Sequence, residues 1–210
     1  MKKIMFNDRF GLTKSVLEGR KIMTRRLIPQ LMGEENPDIS EWGLTDGGKA
    51  MITLYEGGRP TTDIFPMYQP GEIVAIAQSY KDLGYTKQWV EQHIKPNPNA
   101  KPTDPFERKY PGWNNKMFTH SELSKNHLIQ IQNIKIERLQ DISESDCFDE
   151  GITWDYDDYQ TMSRKVYLIN DYEAFPSPRI AFSKLINRIS GESTWEINPY
   201  VFAYTFKLLK

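Results

Sequence analysis

Gly19-Arg20-Lys21-Ile22-Met23-Thr24-Arg25-Arg26 packs four cations, one hydroxyl and one glycine into eight residues. Far along the chain, Glu150 stands directly before Gly151 in a segment rich in acids. A lysine and a glutamate buried together can pass a proton, because desolvation lowers the amine pKa and raises the carboxyl pKa. A threonine three residues from such a lysine, as Thr24 is from Lys21, can be activated as a nucleophile by the neutral amine. The same residue types also make an ordinary salt bridge between a turn and a helix, and most charge runs are solvated surface.

The elements that must hold these side chains are partly legible. Phe10 to Glu18 carries Leu12, Val16 and Leu17 at helical spacing, and Gly19 ends it, since glycine enters the left-handed region at no steric cost. Ser143 reads as the N-cap of a short helix that Gly151 stops, which fixes Glu150 at its end. Leu128 to Leu139 reads as a strand, with Ile129 and Ile131 on one parity and Ile134 and Ile136 on the other. A β-bulge near Gln132-Asn133 would restore a common inward face. Pro70-Gly71 launches a buried strand over Glu72–Ala77, and Val201–Leu208 forms a closing strand. Ser177-Pro178 starts a last helix that runs through Leu185 and Ile189 to Gly191.

Between these, Pro29–Pro70 is loop-like. Turns at Gly47-Gly48 and Gly57-Gly58 flank a hairpin strand over Met51–Tyr55. Residues 81–113 hold Pro96, Pro98, Pro102, Pro105 and Pro111 among polar residues and read as a surface insertion. The expectation is an α+β chain: one domain over residues 1–210, a small β-barrel decorated by helices, with insertions at 30–65 and 81–113.

Composition narrows the function classes. The net charge is −1 over 210 residues, so no global basic field advertises a polyanion. Locally the balance is uneven: residues 1–30 hold eight Lys or Arg against two acids, whereas residues 140–163 hold eight Asp or Glu and neither Lys nor Arg. The lone Cys147 excludes an intramolecular disulfide and fits a reducing, cytoplasmic setting. No apolar run reaches the roughly 18 residues of a membrane span, and Asn7-Asp8-Arg9 interrupts any signal-peptide core. His93, His120 and His127 lack ligand spacing, so no metal or cofactor is expected. Trp195, and the cluster Trp154, Tyr156 and Tyr159, read either as core anchors or as rings on which a base stacks. A wider basic surface for RNA would draw on Lys81, Lys87, Lys95, Lys101, Arg108 and Lys109.

Gly19-x-Lys21-x-x-x-x-Arg26 resembles the G-x-K-x-x-x-x-R signature of the ASCH family, in the PUA-like superfamily. The order of Pro70-Gly71-Glu72, then Glu137 to Ser143, Asp146, Glu150-Gly151, and finally Ser190-Gly191, Trp195, Asn198-Pro199 and Val201 is similar to its phage and prophage members. The resemblance implies a PUA-like barrel whose cleft takes RNA or a modified nucleoside, with Arg25, Arg26, Lys116 and Trp195 as ligand contacts. The motif is also similar to that of the bacterial acetylcytidine amidohydrolases. That similarity implies Lys21 as proton acceptor, Thr24 as nucleophile, Glu150 as proton donor, and Arg26 orienting the ligand. This chain is about twice the length of that branch, and Ile22 and Met23 replace residues that are usually more polar there.

Overall fold

A computed structural model describes residues 1–32, 43–45, 48–124, 127–157, 164–170 and 172–209. Its strands are β1 (Lys3–Ile4), β2 (Met23–Leu27), β3 (Gly43–Leu44), β4 (Ala50–Glu56), β5 (Arg59–Ile64), β6 (Ile73–Ile76), β7 (Leu128–Arg138), β8 (Thr153–Tyr156), β9 (Lys165–Ile169), β10 (Glu173–Phe175) and β11 (Tyr200–Leu209). Its helices are α1 (Leu12–Leu17), α2 (Lys87–His93), α3 (Phe106–Lys109), α4 (Glu144–Asp149), α5 (Pro178–Ser190) and α6 (Thr194–Ile197). Among the described residues the chain is therefore mixed α and β with several sheets, and none of these sheets closes into a barrel. No helix among them is long and apolar enough to cross a membrane.

The chain divides into two compact units. The first comprises Met1–Phe6, Ile73–Ile129 and Leu208–Lys210. There β1 pairs in parallel with β6, with Lys3 opposite Ala75 and Ile4 opposite Ile76. Ile4, Val74, Ile76 and Ile129 are fully buried. Residues 80–123 add a core of their own. Tyr80, Val90 and Tyr110 are buried, and Tyr85, Trp89, Ile94, Phe106, Trp113 and Leu123 pack on them. The prolines of this stretch hide an apolar content that is mostly aromatic.

The second unit comprises Asn7–Glu72 and Gln130–Lys207. In it β7, β11 and β2 follow one another in a sheet. The antiparallel register of β11 on β2 sets Phe202 opposite Arg26 and Tyr204 opposite Thr24. In β7, Ile131 and Ile134 are buried while Gln132 and Asn133 are both exposed, so the inward parity changes where the sequence places a bulge. The hairpin turns at Gly57-Gly58 between β4 and β5, and β3 adds to the other edge of β4. Gly47 and Tyr159 lie outside the described residues. A further sheet runs β10-β9-β8, and α5 packs its Ala181, Phe182, Leu185 and Ile186 inward.

Candidate functional site

The site lies within the second unit and is framed by two helix C-termini that end in the same way. In α1, the Gly19 N–H bonds the Val16 carbonyl (2.9 Å) and the Arg20 N–H bonds the Ser15 carbonyl (2.9 Å). In α4, the Gly151 N–H bonds the Phe148 carbonyl (2.8 Å) and the Ile152 N–H bonds the Cys147 carbonyl (3.1 Å). Both are Schellman motifs, which need a left-handed residue after the cap. Gly19 (φ +75°) and Gly151 (φ +103°) supply it. The Ser143 hydroxyl starts α4 by accepting from the Asp146 N–H (3.1 Å).

The first motif delivers Lys21 to the start of β2, and the second leaves Glu150 as the C-cap of α4. The Ile22 N–H bonds the Asp149 carbonyl (2.9 Å) and so ties the two together. The Lys21 Nζ donates to Glu150 Oε2 at 2.5 Å and to the Glu150 backbone carbonyl at 2.7 Å. It thereby satisfies one of the carbonyls that every helix end leaves open. Lys21 is 2% exposed and Glu150 5%. Burial lowers the Lys21 ammonium below the ordinary lysine range against the attraction of Glu150, and the Arg26 and Arg25 charges lower it further.

Arg25 secures the other oxygen of Glu150, with Nη1 donating to Oε1 at 3.2 Å. The same guanidinium reaches Glu137 Oε1 through Nε (2.8 Å) and Asp146 Oδ2 through Nη2 (2.5 Å). Burial works against its charge, but the carboxylates of Glu150, Glu137 and Asp146 outweigh that and hold its pKa above the usual value. Lys135 closes the network on Glu137 (3.0 Å) and Asp146 (2.9 Å). Three cations thus face three carboxylates. Desolvation opposes the charge of Asp146, yet Lys135, Arg25 and Ser143 together hold its carboxyl below the usual range. Burial pushes the neighbouring Cys147 thiol up to about 12, so it is inert as a thiolate.

Thr24 and Arg26 alternate with Arg25 along β2 and so share the opposite face of the strand. Thr24 is buried and Arg26 half-buried. Their cross-strand partners there are Tyr204 and Phe202. The Tyr68 ring meets Tyr204 edge-on at 5.5 Å. Burial pushes the Tyr204 phenol up to about 12, against the backbone hydrogen bonds it receives from Met67 and Tyr68. Thr24 and Arg26 therefore stand on an aromatic face, next in sequence to a buried acid–base pair.

No family model matches the chain, and neither does any curated protein or solved structure.

The structure brings Lys21, Arg25 and Glu150 into one bonded cluster. The side chain of Arg25 is 1% exposed and engaged by carboxylates. Trp195 sits on α6, edge-on to Phe182 at 6.2 Å, with Arg179 over its ring at 5.7 Å. Phe182 in turn lies under Arg25 at 6.0 Å. Lys116 belongs to the first unit, where its ammonium donates to the Phe6 carbonyl. Lys135, with Glu137 and Asp146 in their ion-pairing role, was not singled out by sequence reasoning. The signal was there: Lys135 and Glu137 share a strand face at i, i+2, and Asp146 precedes Glu150 by one helical turn.

Proposed function

We propose that the second unit binds RNA or a modified nucleoside at the site built from Lys21, Thr24, Arg26 and Glu150. The observation that carries this reading is the buried Lys21–Glu150 pair, braced by Arg25 and followed directly by Thr24 and Arg26. A buried ion pair contributes little net stability over an apolar pair of the same volume, so its retention favours a role in recognition or proton handling. Tyr204, Tyr68 and Phe202 are buried and wall the face of Thr24 and Arg26, and the half-buried Arg26 supplies a planar fork of donors there. The PUA-like architecture is part of the same proposal and rests on the ordered ASCH-like motifs rather than on sheet closure.

A second reading, an amidohydrolase acting on an N-acylated cytidine, is favoured by the 2.5 Å contact between Lys21 and Glu150, the geometry for passing a proton between them. In it Lys21 first passes a proton to Glu150 within the buried pair, and then takes the Thr24 proton as the hydroxyl attacks the amide carbonyl. The carbon–nitrogen bond then breaks as Glu150 protonates the leaving amine. Water hydrolyses the threonyl ester and restores the enzyme. Arg26 stabilises the oxyanion.

A chromatographic screen of N-acylated cytidines, run beside equilibrium binding of the same compounds, separates the two readings. Turnover that disappears in Thr24→Val while affinity stays within about threefold supports hydrolysis, since the hydroxyl acts in the transition state. Affinity without turnover supports binding alone. Turnover that survives Thr24→Val removes threonine as the nucleophile.

A further inference from the structure

The first unit carries a preorganised stack of three rings that the site above does not use. Tyr85 and Trp89 lie 4.3 Å apart at 29°, and Trp89 and His93 lie 4.3 Å apart at 10°. The Tyr85 and His93 rings are each held by a bond from their own polar atom, and Trp89 between them is anchored through its backbone at the start of α2. The Tyr85 hydroxyl donates to the Leu123 carbonyl (3.1 Å). The Trp89 backbone N–H is capped by the Thr86 hydroxyl (3.1 Å), which starts α2. His93 Nδ1 bonds the Trp89 carbonyl at 2.8 Å, and because a carbonyl only accepts, Nδ1 carries the proton.

His93 is the exposed end of this stack. One face of its imidazole lies on Trp89, and no other ring among the described residues meets it. Lys95 follows His93 by two residues, and the chain brings Lys109 back beside it. Asn97 bonds the Lys109 carbonyl through its N–H (2.6 Å) and the Arg108 carbonyl through its side chain (3.4 Å), which draws residues 95–97 against residues 108–109 just beyond His93. Residues 87–109 hold five Lys or Arg against three acids in a chain whose net charge is −1. Lys87 and Arg108 pair with Glu107 and Asp104. Among the described residues, no carboxylate pairs with Lys95, Lys101 or Lys109.

We propose that the Tyr85–Trp89–His93 stack, flanked by Lys95 and Lys109, is a binding site for an unpaired base of single-stranded RNA. The base extends the stack on His93, and the lysines meet the adjoining phosphates. A ring already held in place loses little freedom when another stacks on it, and base–aromatic stacking is sequence-tolerant. The inference adds an RNA contact to the nucleoside reading above and uses neither Lys21 nor Glu150.

The test is an anisotropy titration of a fluorescein-labelled, unstructured RNA dodecamer with the full chain over a salt series, with binding of an N-acylated cytidine measured in parallel. His93→Ala weakens RNA binding about tenfold or more, and His93→Phe keeps it within about twofold, because a ring remains. Replacing Lys95 and Lys109 together with alanine flattens the slope of log affinity against log salt by about 1.4, two phosphate contacts on a single strand. RNA binding that ignores both His93→Ala and the lysine pair overturns the inference. So does binding lost in Lys21→Ala but not in His93→Ala, which gives the RNA to β2. A chain that binds the cytidine but no RNA overturns this inference alone and leaves the nucleoside reading standing.

Discussion

At the scale of the residue, the network around Arg25 sets the energetics. Arg25 meets Glu137, Asp146 and Glu150 with its side chain 1% exposed, so Arg25→Ala leaves three carboxylates to the two lysines Lys21 and Lys135. Breaking a buried pair on one side costs about 3–5 kcal/mol, and urea unfolding of Arg25→Ala is expected to show a loss of that size. Glu150→Gln is milder, because the amide still accepts from Lys21, while Lys21→Met combined with Glu150→Gln recovers part of the single-variant loss. Two groups give pH signatures of the same sign in different ranges, stability rising with pH in each. The folded Asp146 carboxyl lies below its ordinary value of 3.8, so its contribution is whole above that range and fades as pH falls through the folded value. The folded Lys21 ammonium lies below its ordinary 10.5, so the unfolded chain binds more protons in that interval and stability rises with pH across it. Urea midpoints of wild type minus Lys21→Met, followed against pH, isolate that rise, and a flat difference contradicts it. Lys21, Thr24 and Glu150 were legible as chemistry-bearing types. The bracing of Glu150 by Arg25 was not, because it joins β2 to α4 through a side chain also read as a ligand contact.

At the scale of the element, the glycines that end α1 and α4 place the acid–base pair. Gly19 has open space where a Cβ would stand, so Gly19→Ala carries only the backbone cost of a left-handed alanine, about 1–2 kcal/mol. Gly151→Ala adds a Cβ 3.4 Å from Leu12 and 3.6 Å from the Lys21 chain at φ +103°. These are ordinary contact distances, so the loss comes from the backbone at φ +103°, farther from the left-handed minimum than Gly19, and is expected to reach about 2–3 kcal/mol. Thermal unfolding, run on both variants, checks the order. These helix ends were readable because Ser143, Gly19, Gly151 and Ser177-Pro178 act locally through caps and left-handed turns. The change of inward face at Gln132-Asn133 was readable for the same local reason. The pairing of β11 with β2 was not, because it depends on residues far apart in the chain.

At the scale of the whole molecule, the near-zero net charge forces any polyanion recognition to be local. The basic, ring-rich residues 85–113 are where the sequence supplies it. The rings there recur at i, i+4, as in Tyr85, Trp89 and His93 or Phe106 and Tyr110, a signal that the intervening prolines obscure. Gly112 is the close approach on which that core depends, for a Cβ there would sit 2.5 Å from the Tyr80 ring and 3.1 Å from the Phe118 carbonyl. Gly112→Ala is expected to speed amide exchange across residues 80–118, and unchanged protection there contradicts this packing. The measurement that tests the central claim most directly is calorimetric binding of an N-acylated cytidine to the wild type and to Arg26→Ala. The account predicts saturable binding by the wild type, weakened at least about tenfold when the guanidinium is removed. A folded wild type that binds no nucleoside, or an Arg26→Ala variant that binds it equally well, would contradict the account.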